Sequence, residues 1–488
     1  MCARPSKPEP KSARGNRIPR KIGLLLGSVT VALLLVEGLA RIYYAASDAP
    51  LFVAYGSRSE MYRQRWLEAR QRRPRDGSDE PLVHGMGRYH PRLGWVPIAN
   101  LSKASVENHP PVSTNSRGLR SLREIPYAKP AGRKRLVAIG DSYTFGFDGE
   151  DEDIWPVVLE EALSGWDVVN LGVFGYGIDQ QLIMLQDQGI KYEPDVVVVG
   201  FYEADADRAL LSFREFAKPR FELRDGRLDL TNVPVPTPEQ ILARHAHRPP
   251  ISYTLHWWWQ RSRGREAMRE QASAPYRSQR SSLVKAILWQ MQHEVLGCGA
   301  RMLVMFIPAN AYAESEMPVR DELQAWSTEL GYAFLDLVPV LKAISEQEAR
   351  SAFSGHFNPL GNVVVARALA EQLAELGWAA PVSTAARAAL DSRRERALEG
   401  IIQSFLNLLD DRQGIARAQV RSAAVLTPEQ QAQLAERLSA YSGKQVQLEV
   451  EVDEGLKAGF VAQLGDQVFD GTLEAQLHRL RRRLVMGL

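Results

Sequence analysis

The sequence predicts an α/β fold built on a parallel β-sheet, and two observations support this prediction. Short runs of apolar, β-forming residues alternate with helical patterns between residues 135 and 376, as expected for parallel strands joined by crossover helices. Each run ends near a loop with polar groups, as in doubly wound sheets, whose ligands bind beyond the carboxyl ends of the strands. The predicted strands are residues 135–140, 166–172, 195–201, 301–307 and 332–337.

The composition is that of an ordinary globular chain. Its 488 residues are 45% hydrophobic and 24% charged, which allows about three domains. A net charge of +2, with basic residues spread along the chain, gives no reason to expect a nucleic-acid partner. The two cysteines, Cys2 and Cys298, cannot form a disulfide framework and have no metal-ligand spacing. We therefore expect no metal and no cofactor.

The N-terminal segment has the pattern of a membrane anchor. Residues 1–21 carry seven basic residues and one acidic residue, and an apolar stretch follows over residues 22–46, with Glu37 and Arg41 one helical turn apart. No convincing cleavage signal is present, so we predict an uncleaved transmembrane helix, and a buried helix is the alternative. The positive-inside rule then makes residues 1–21 a cytoplasmic tail and places the main domains in the periplasm or outside the cell.

Residues 47–130 are predicted to be a connector, and residues 131–378 to be the α/β domain. An insertion of about residues 208–290 separates the third and fourth strands. Within it, residues 221–230 alternate apolar and polar around an Asp-Gly pair, which predicts a β-hairpin. Residues 256–265 mix aromatic residues with arginines, which fits a lid, a groove for a polar substrate, a membrane contact or a packed helix with solvated arginines.

Ser142 is the candidate nucleophile. The apolar run 135–140 stops abruptly at Gly140, so a buried strand would deliver this serine to the carboxyl edge of the sheet. The alternative is an ordinary strand-to-helix turn in which Ser142 is a helix N-cap. A nucleophilic serine needs a base, and His356 is the candidate because its loop precedes the last predicted helix and can fold back toward the strand ends.

Three separated blocks resemble the SGNH (GDSL-type) hydrolase family, over about residues 115–376. The blocks are residues 140–146, residues 170–177 and residues 355–358. The resemblance implies a flavodoxin-like three-layer fold in which Ser142 attacks an acyl carbonyl and His356 takes the serine proton. It also implies that the backbone N–H groups of Ser142 and Gly172 hold the oxyanion. The implied reaction is acyl-ester hydrolysis or acyl transfer on an acylated carbohydrate or lipid of the cell envelope.

Two positions depart from the family pattern. Ala204 stands where the family has an asparagine that donates to the oxyanion, and Ser354 stands where an aspartate orients the histidine. A backbone carbonyl, Asp336 or Asp205 would have to orient His356 instead. These departures leave two alternatives, a slow esterase and a non-catalytic module that binds a ligand.

Residues 384–488 are predicted to form a separate, small α+β domain. From about residue 399 to 484 they resemble the C-terminal domain of the ATP synthase δ (OSCP) subunit, notably in residues 420–423, 426–430, 446–448, 452–456 and 465–471. The resemblance implies a protein-binding module, so a stalk component of a proton-translocating ATP synthase is the third alternative. Stalk partners lie on the cytoplasmic side, whereas the predicted anchor places this domain outside. We give precedence to the anchor.

Overall fold

The computed structural model describes residues 17–46, 58–72, 82–106, 109–244, 251–255, 258, 262, 269–270, 272–309, 317–344, 355–453, 455–464, 467–477 and 481. Residues 1–16 of the predicted tail and Ser354 lie outside these described ranges. The chain divides into two compact units, Met1–Asp391 and Ser392–Leu488. The helix Thr384–Gln413 includes the boundary between the units.

The strands and helices have the following bounds. The strands are β1 (Gly87–His90), β2 (Gly94–Pro97), β3 (Ala104–Val106), β4 (His109–Val112), β5 (Lys134–Gly140), β6 (Trp166–Asn170), β7 (Val196–Tyr202), β8 (Arg220–Arg224), β9 (Arg227–Thr231), β10 (Arg301–Ile307), β11 (Ala333–Asp336), β12 (Ile415–Ser422), β13 (Gln445–Val452), β14 (Phe460–Leu464) and β15 (Gln467–Asp470). The helices include Arg17–Ala46, Arg58–Arg72, Ser142–Phe145, Trp155–Ala162, Ile178–Asp187, Asp205–Arg208, Pro238–Arg244, Ala274–Gly297, Pro318–Leu330, Leu337–Lys342, Pro359–Glu375, Thr384–Gln413 and Pro428–Ser442.

A five-stranded sheet organises the first unit. Its strands lie in the order β6-β5-β7-β10-β11, and every neighbouring pair is parallel. Counted along the chain, this is the order 2-1-3-4-5 of flavodoxin-like sheets. The predicted flavodoxin-like α/β fold is confirmed.

The two faces of this sheet carry separate hydrophobic cores, because successive strand residues point to opposite faces. From β5, Val137 and Ile139 pack into the core that holds the helices Ile178–Asp187 and Ala274–Gly297. Leu136 and Ala138 pack into the other core, with side chains of the helices Trp155–Ala162 and Pro359–Glu375. The sheet is therefore covered on both faces, which explains why β5, β7 and β10 contain continuous apolar runs.

The residues predicted to be a connector contribute to the core of the first unit. They form the antiparallel hairpins β1–β2 and β3–β4. Trp95 of β2 is fully buried, and its indole N–H donates to the carbonyl of Phe174 at 2.9 Å. In the insertion, β8 and β9 form the predicted hairpin around Asp225 and Gly226.

The helix Arg17–Ala46 contains residues Leu25–Tyr43, a 19-residue stretch with a mean hydropathy of 1.8. Within the described part of the chain, this is the one helix long and apolar enough to cross a membrane. None of this stretch is buried inside the protein.

The second unit is the predicted small α+β domain. Its sheet has the order β13-β12-β14-β15, and β12 and β13 are parallel strands linked by the helix Pro428–Ser442. Thr427 begins this helix as its N-cap, and the side chain of Gln430 accepts the N–H of Thr427 in return, which completes a capping box. The small core contains Ala418, Val420, Leu438, Val446 and Ala462.

Candidate active site

Ser142 lies at the carboxyl end of β5, as the first residue of the short helix Ser142–Phe145. The N-cap of this helix is Asp141, whose carboxylate accepts the N–H of Tyr143 at 2.9 Å. The cap role is thus filled by Asp141, and the Ser142 hydroxyl is available for another partner. Glycine is required at 140, since a Cβ there would lie 2.1 Å from the hydroxyl of Thr144.

His356 lies beside this serine. Its Nε2 is 2.8 Å from the hydroxyl oxygen of Ser142, although the two residues are 214 positions apart in the chain. The phenol of Tyr143 donates to the carbonyl of Gly355 at 2.7 Å and so ties the histidine loop to the serine helix. Asn358 caps the helix that follows, accepting the N–H of Gly361 at 3.0 Å. The structure therefore brings the predicted nucleophile and base into hydrogen-bond contact.

The carboxylate that faces the other nitrogen of His356 belongs to Asp148. Its Oδ2 is 3.4 Å from His356 Nδ1. That distance is at the long end for a hydrogen bond. Burial alone would raise the pKa of the Asp148 carboxyl, but the hydrogen bonds and charges of His356 and His109 outweigh burial and hold this pKa below its ordinary value. Asp148 is therefore an anion in position to hold the imidazole.

Arg120 fixes the turn that carries Asp148. This arginine is 2% exposed, and its guanidinium donates to the carbonyls of Gly146 and Gly149, the latter at 2.6 Å. It also lies 3.3 Å from a carboxylate oxygen of Asp151. Because these acceptors flank Asp148, Arg120 sets the path of the chain from the serine helix to the acid.

A second histidine contacts the same carboxylate. Nδ1 of His109, at the start of β4, is 2.7 Å from Oδ1 of Asp148. The two oxygens of Asp148 thus face different histidines. Phe147 packs between the imidazoles, with ring centroids 4.2 Å from His109 and 5.4 Å from His356. The structure forms a chain of contacts from Ser142 through His356 and Asp148 to His109.

The two acids named from the sequence have other contacts. Asp336 lies 2.8 Å from Arg320 and caps the next helix by accepting the N–H of Val338. Asp205 is fully buried, 2.8 Å from Arg208 and 2.8 Å from Gln181. The hydrogen bonds and ion pairs found for these two acids do not include His356.

Beneath the serine helix, Arg208 joins two buried carboxylates. Its Nη1 is 2.7 Å from Asp141 and 2.8 Å from Asp205. Burial and the charge of Asp141 raise the pKa of Asp205 well above its ordinary value. Because Asp141 also caps the serine helix, this network holds Ser142 on the end of β5.

The predicted oxyanion donors differ in their availability. No acceptor for the Ser142 N–H is found within the described residues. The Gly172 N–H donates to the side chain of Asn170 at 2.9 Å and is therefore occupied. Ala204, the residue before the helix Asp205–Arg208, has only a methyl group and offers no side-chain donor. Of the predicted oxyanion donors, the backbone N–H of Ser142 is thus the one found without an acceptor in the described part of the chain.

Sequence reasoning did not single out Asp148 or His109. The signal for Asp148 is its acidic side chain six residues after Ser142, just past Gly146, whose φ of 84° reverses the chain. No sequence pattern identifies His109, because its contact with Asp148 depends on how the β3–β4 hairpin folds onto the core.

Comparisons with known proteins match the C-terminal part of the chain to one family. The family model described as ATP synthase delta (OSCP) subunit matches residues 362–484. The delta subunit of Chlorobium phaeovibrioides is 42% identical over 93 residues, which are 19% of this chain and 51% of that protein. The delta subunit of Synechococcus sp. strain CC9902 is 43% identical over 91 residues, 18% of this chain and 50% of that protein. The chain thus spans about half the length of these curated relatives.

Solved structures similar to this chain include esterases. TesA has 13% identity and a TM-score of 0.30, covering 50% of this chain and 99% of its own. A catalytic mutant of Axe2, an acetylxylan esterase from Geobacillus stearothermophilus, has 15% identity and a TM-score of 0.30, covering 50% and 96%. The chain therefore joins a flavodoxin-like α/β unit to a C-terminal segment similar to the ATP synthase delta (OSCP) subunit.

Proposed function

We propose that the first unit is a serine acyl-ester hydrolase or O-acyltransferase that works with Ser142, His356 and Asp148. The observation that carries this proposal is the 2.8 Å contact between the Ser142 hydroxyl and Nε2 of His356, with Asp148 on the opposite ring nitrogen. A nucleophile bonded to a base that is oriented by a third group is the arrangement of activated serine enzymes.

The reaction follows from these positions. His356 Nε2 takes the hydroxyl proton as the Ser142 oxygen bonds to the acyl carbon, and the carbonyl oxygen becomes an oxyanion held by the Ser142 N–H. The tetrahedral intermediate collapses, the ester C–O bond breaks, and His356 returns the proton to the leaving alkoxide. Water or an acceptor hydroxyl then gives its proton to His356 and attacks the acyl-serine, which releases an acid or a new ester and regenerates Ser142.

The oxyanion site makes this a slow catalyst. Ala204 offers no donor, and the Gly172 N–H is held by Asn170. Loss of one oxyanion donor costs about 10² to 10³ in turnover in serine hydrolases. We therefore expect turnover well below that of an esterase with a complete set of donors.

The proposed substrate is an acylated carbohydrate or lipid of the cell envelope. This part of the proposal depends on the N-terminal helix, whose 19-residue apolar stretch is long enough to anchor the chain in a membrane. The basic residues that precede it would stay in the cytoplasm, and the catalytic unit would be periplasmic or extracellular.

Hydrolysis of short acyl esters by the full chain in detergent tests the activity. We expect slow turnover by the native protein and none above background by Ser142→Ala, which deletes the nucleophile and keeps the backbone N–H. Equal rates for the two proteins would leave a non-catalytic ligand-binding module as the function of this unit.

For the second unit we propose a protein-binding role. Its support is the match of residues 362–484 to the delta (OSCP) family, at 42% identity over 93 residues to one delta subunit. A stalk component of an ATP synthase is the form of this role that the relatives' name suggests.

The two proposals differ in the compartment of the C-terminus. An anchor with a cytoplasmic N-terminus places Leu488 outside the cytoplasm, whereas a stalk role requires it inside. A pair of reporters fused after Leu488, one active only in the periplasm and one only in the cytoplasm, separates them. We expect the periplasmic reporter alone to be active, and a cytoplasmic signal would favour the stalk role.

A further inference from the structure

Glu37, in the apolar N-terminal helix, binds a segment far away in the chain. Its carboxylate accepts the backbone N–H of Tyr253 at 2.9 Å and that of Thr254 at 3.0 Å. It also accepts the hydroxyls of Ser252, at 2.8 Å, and of Thr254. A carboxylate inside an apolar stretch that could span a membrane is costly unless it is paired, and here four donors satisfy it.

Arg41, one turn further along the same helix, strengthens this contact. Its guanidinium donates to the carbonyl of Ile251 at 2.9 Å and lies 5.0 Å from the ring centroid of Tyr253. Arg41 also pairs with Glu37 at 2.9 Å. The segment 251–254 is thus fixed to the apolar helix through both of its charged residues.

The segment begins a helix, and Glu37 meets the start of that helix. Ser252 is in the N-cap position, with its hydroxyl oxygen accepting the N–H of Leu255 at 3.2 Å. First-turn N–H groups have no partner within their own helix, and the positive end of the helix favours an anion. Glu37 pairs the first-turn N–H groups of Tyr253 and Thr254, so neither needs water where the segment meets a membrane.

The apolar side chains of this segment face away from the protein. Ile251 is 98% exposed, Leu255 is 69% exposed and Trp258 is 61% exposed. Leu255 and Trp258 are both helical residues. On the anchor helix, Leu39 and Ile42 are also exposed, so the apolar surface of the segment is held on a helix whose own apolar side chains are exposed.

We propose that this segment forms a second membrane contact through Ile251, Leu255 and Trp258, which lies in the bilayer interface and is held beside the anchor by Glu37. Tryptophan is enriched at this level of the membrane, and Trp258 is an exposed residue of this segment. A bilayer is the occupant of this surface because it is continuous with the apolar anchor helix. The inference rests on the proposed membrane anchoring, and it ties the insertion between β7 and β10 to the membrane.

The test uses the full chain reconstituted in phosphatidylcholine vesicles. Cys2 and Cys298 are replaced by serine, and Leu255→Cys is labelled with an environment-sensitive fluorophore. We expect blue-shifted emission and loss of most of the fluorescence when lipids carry a quencher near the headgroup. The control is Leu122→Cys, an exposed position in the first unit, whose label should keep the emission of water and resist the lipid quencher.

Glu37→Ala, in the chain labelled at position 255, tests the link to the anchor. It should move the emission toward that of water, because the segment loses its four hydrogen bonds to the carboxylate. Extraction of the vesicles with alkaline carbonate separates the two levels of the proposal. The second contact is overturned if the chain stays in the vesicles but the label at position 255 has the emission of water. It is also overturned if contacts between protein copies quench this label and the lipid quencher does not. A chain released by carbonate overturns the anchor, and the second contact with it.

Discussion

Asp148 lies closer to His109 than to His356, with 2.7 Å between Asp148 Oδ1 and His109 Nδ1 and 3.4 Å between Asp148 Oδ2 and His356 Nδ1. One carboxylate is therefore shared by two imidazoles, and the shorter contact is to the one remote from the nucleophile. His109 is a positioning residue in this account, since it acts on His356 only through Asp148.

Removing His109 should weaken catalysis without abolishing substrate binding. In His109→Ala, Asp148 loses the partner that fixes its orientation, and we expect kcat to fall about 10- to 100-fold with KM nearly unchanged, as for a small misplacement of a catalytic group. His109→Asn keeps a side-chain N–H near the carboxylate and should recover part of this loss. Steady-state kinetics on a short acyl ester measure both. A His109→Ala protein with native kcat would show that the contact is structural only.

Asp148→Asn tests the assignment of the orienting acid. The substitution keeps the size of the side chain but removes the anion that holds His356, and we expect kcat to fall by about 10³ to 10⁴. Asp336→Asn is the matched control, because Asp336 binds Arg320 and caps a helix away from His356. Similar activity losses in the two variants, measured with the same ester, would contradict the role given to Asp148.

Ala204→Asn should increase activity. An asparagine at this position would restore a side-chain donor for the oxyanion, and we expect kcat to rise by about 10- to 100-fold, somewhat less than the full worth of such a donor. Ala204→Leu, which adds a side chain of similar size without a donor, is the control. The measurement is kcat of the native protein and the two variants on the same ester. A higher kcat in both variants, or in neither, counts against the proposed oxyanion site.

The pH dependence of stability follows from the lowered pKa of Asp148. Its pKa in the folded protein is below the ordinary value of 3.8, so its ionised form stabilises the fold. This contribution is fully present above about pH 4 and is lost as the pH falls through the folded-state pKa. The difference in urea midpoint between native protein and Asp148→Asn should therefore shrink as the pH falls from about 5 through the folded-state pKa of Asp148. A difference that grows in acid would reverse the assigned sign.

The parts of the fold that repeat a simple pattern could be predicted from the sequence. The strand Lys134–Gly140 contains the continuous apolar run 136–139 because both faces of the sheet are covered, and the abrupt end of this run locates Ser142. The hairpin around Asp225 and Gly226 follows from the turn residues. The δ-like segment could be recognised because its sequence motifs are local and ordered along the chain.

The features that sequence reasoning missed are set by tertiary contacts. Asp148 reaches His356 because Arg120, from an upstream segment, binds the carbonyls on both sides of it. The Gly172 N–H is occupied because the side chain of Asn170 turns back on its own loop. Neither the path of the turn that carries Asp148 nor the direction of the Asn170 side chain produces a periodic pattern in the sequence.

Labelling with a fluorophosphonate shows whether Ser142 is an activated nucleophile, because this probe forms a covalent bond only with an activated serine. The full chain in detergent is treated with the probe, and the modified peptide is identified by mass spectrometry, with Ser142→Ala as the matched control. We predict an adduct on Ser142 in the native protein and none at this site in the variant. A folded native protein that carries no adduct on Ser142 would contradict the account.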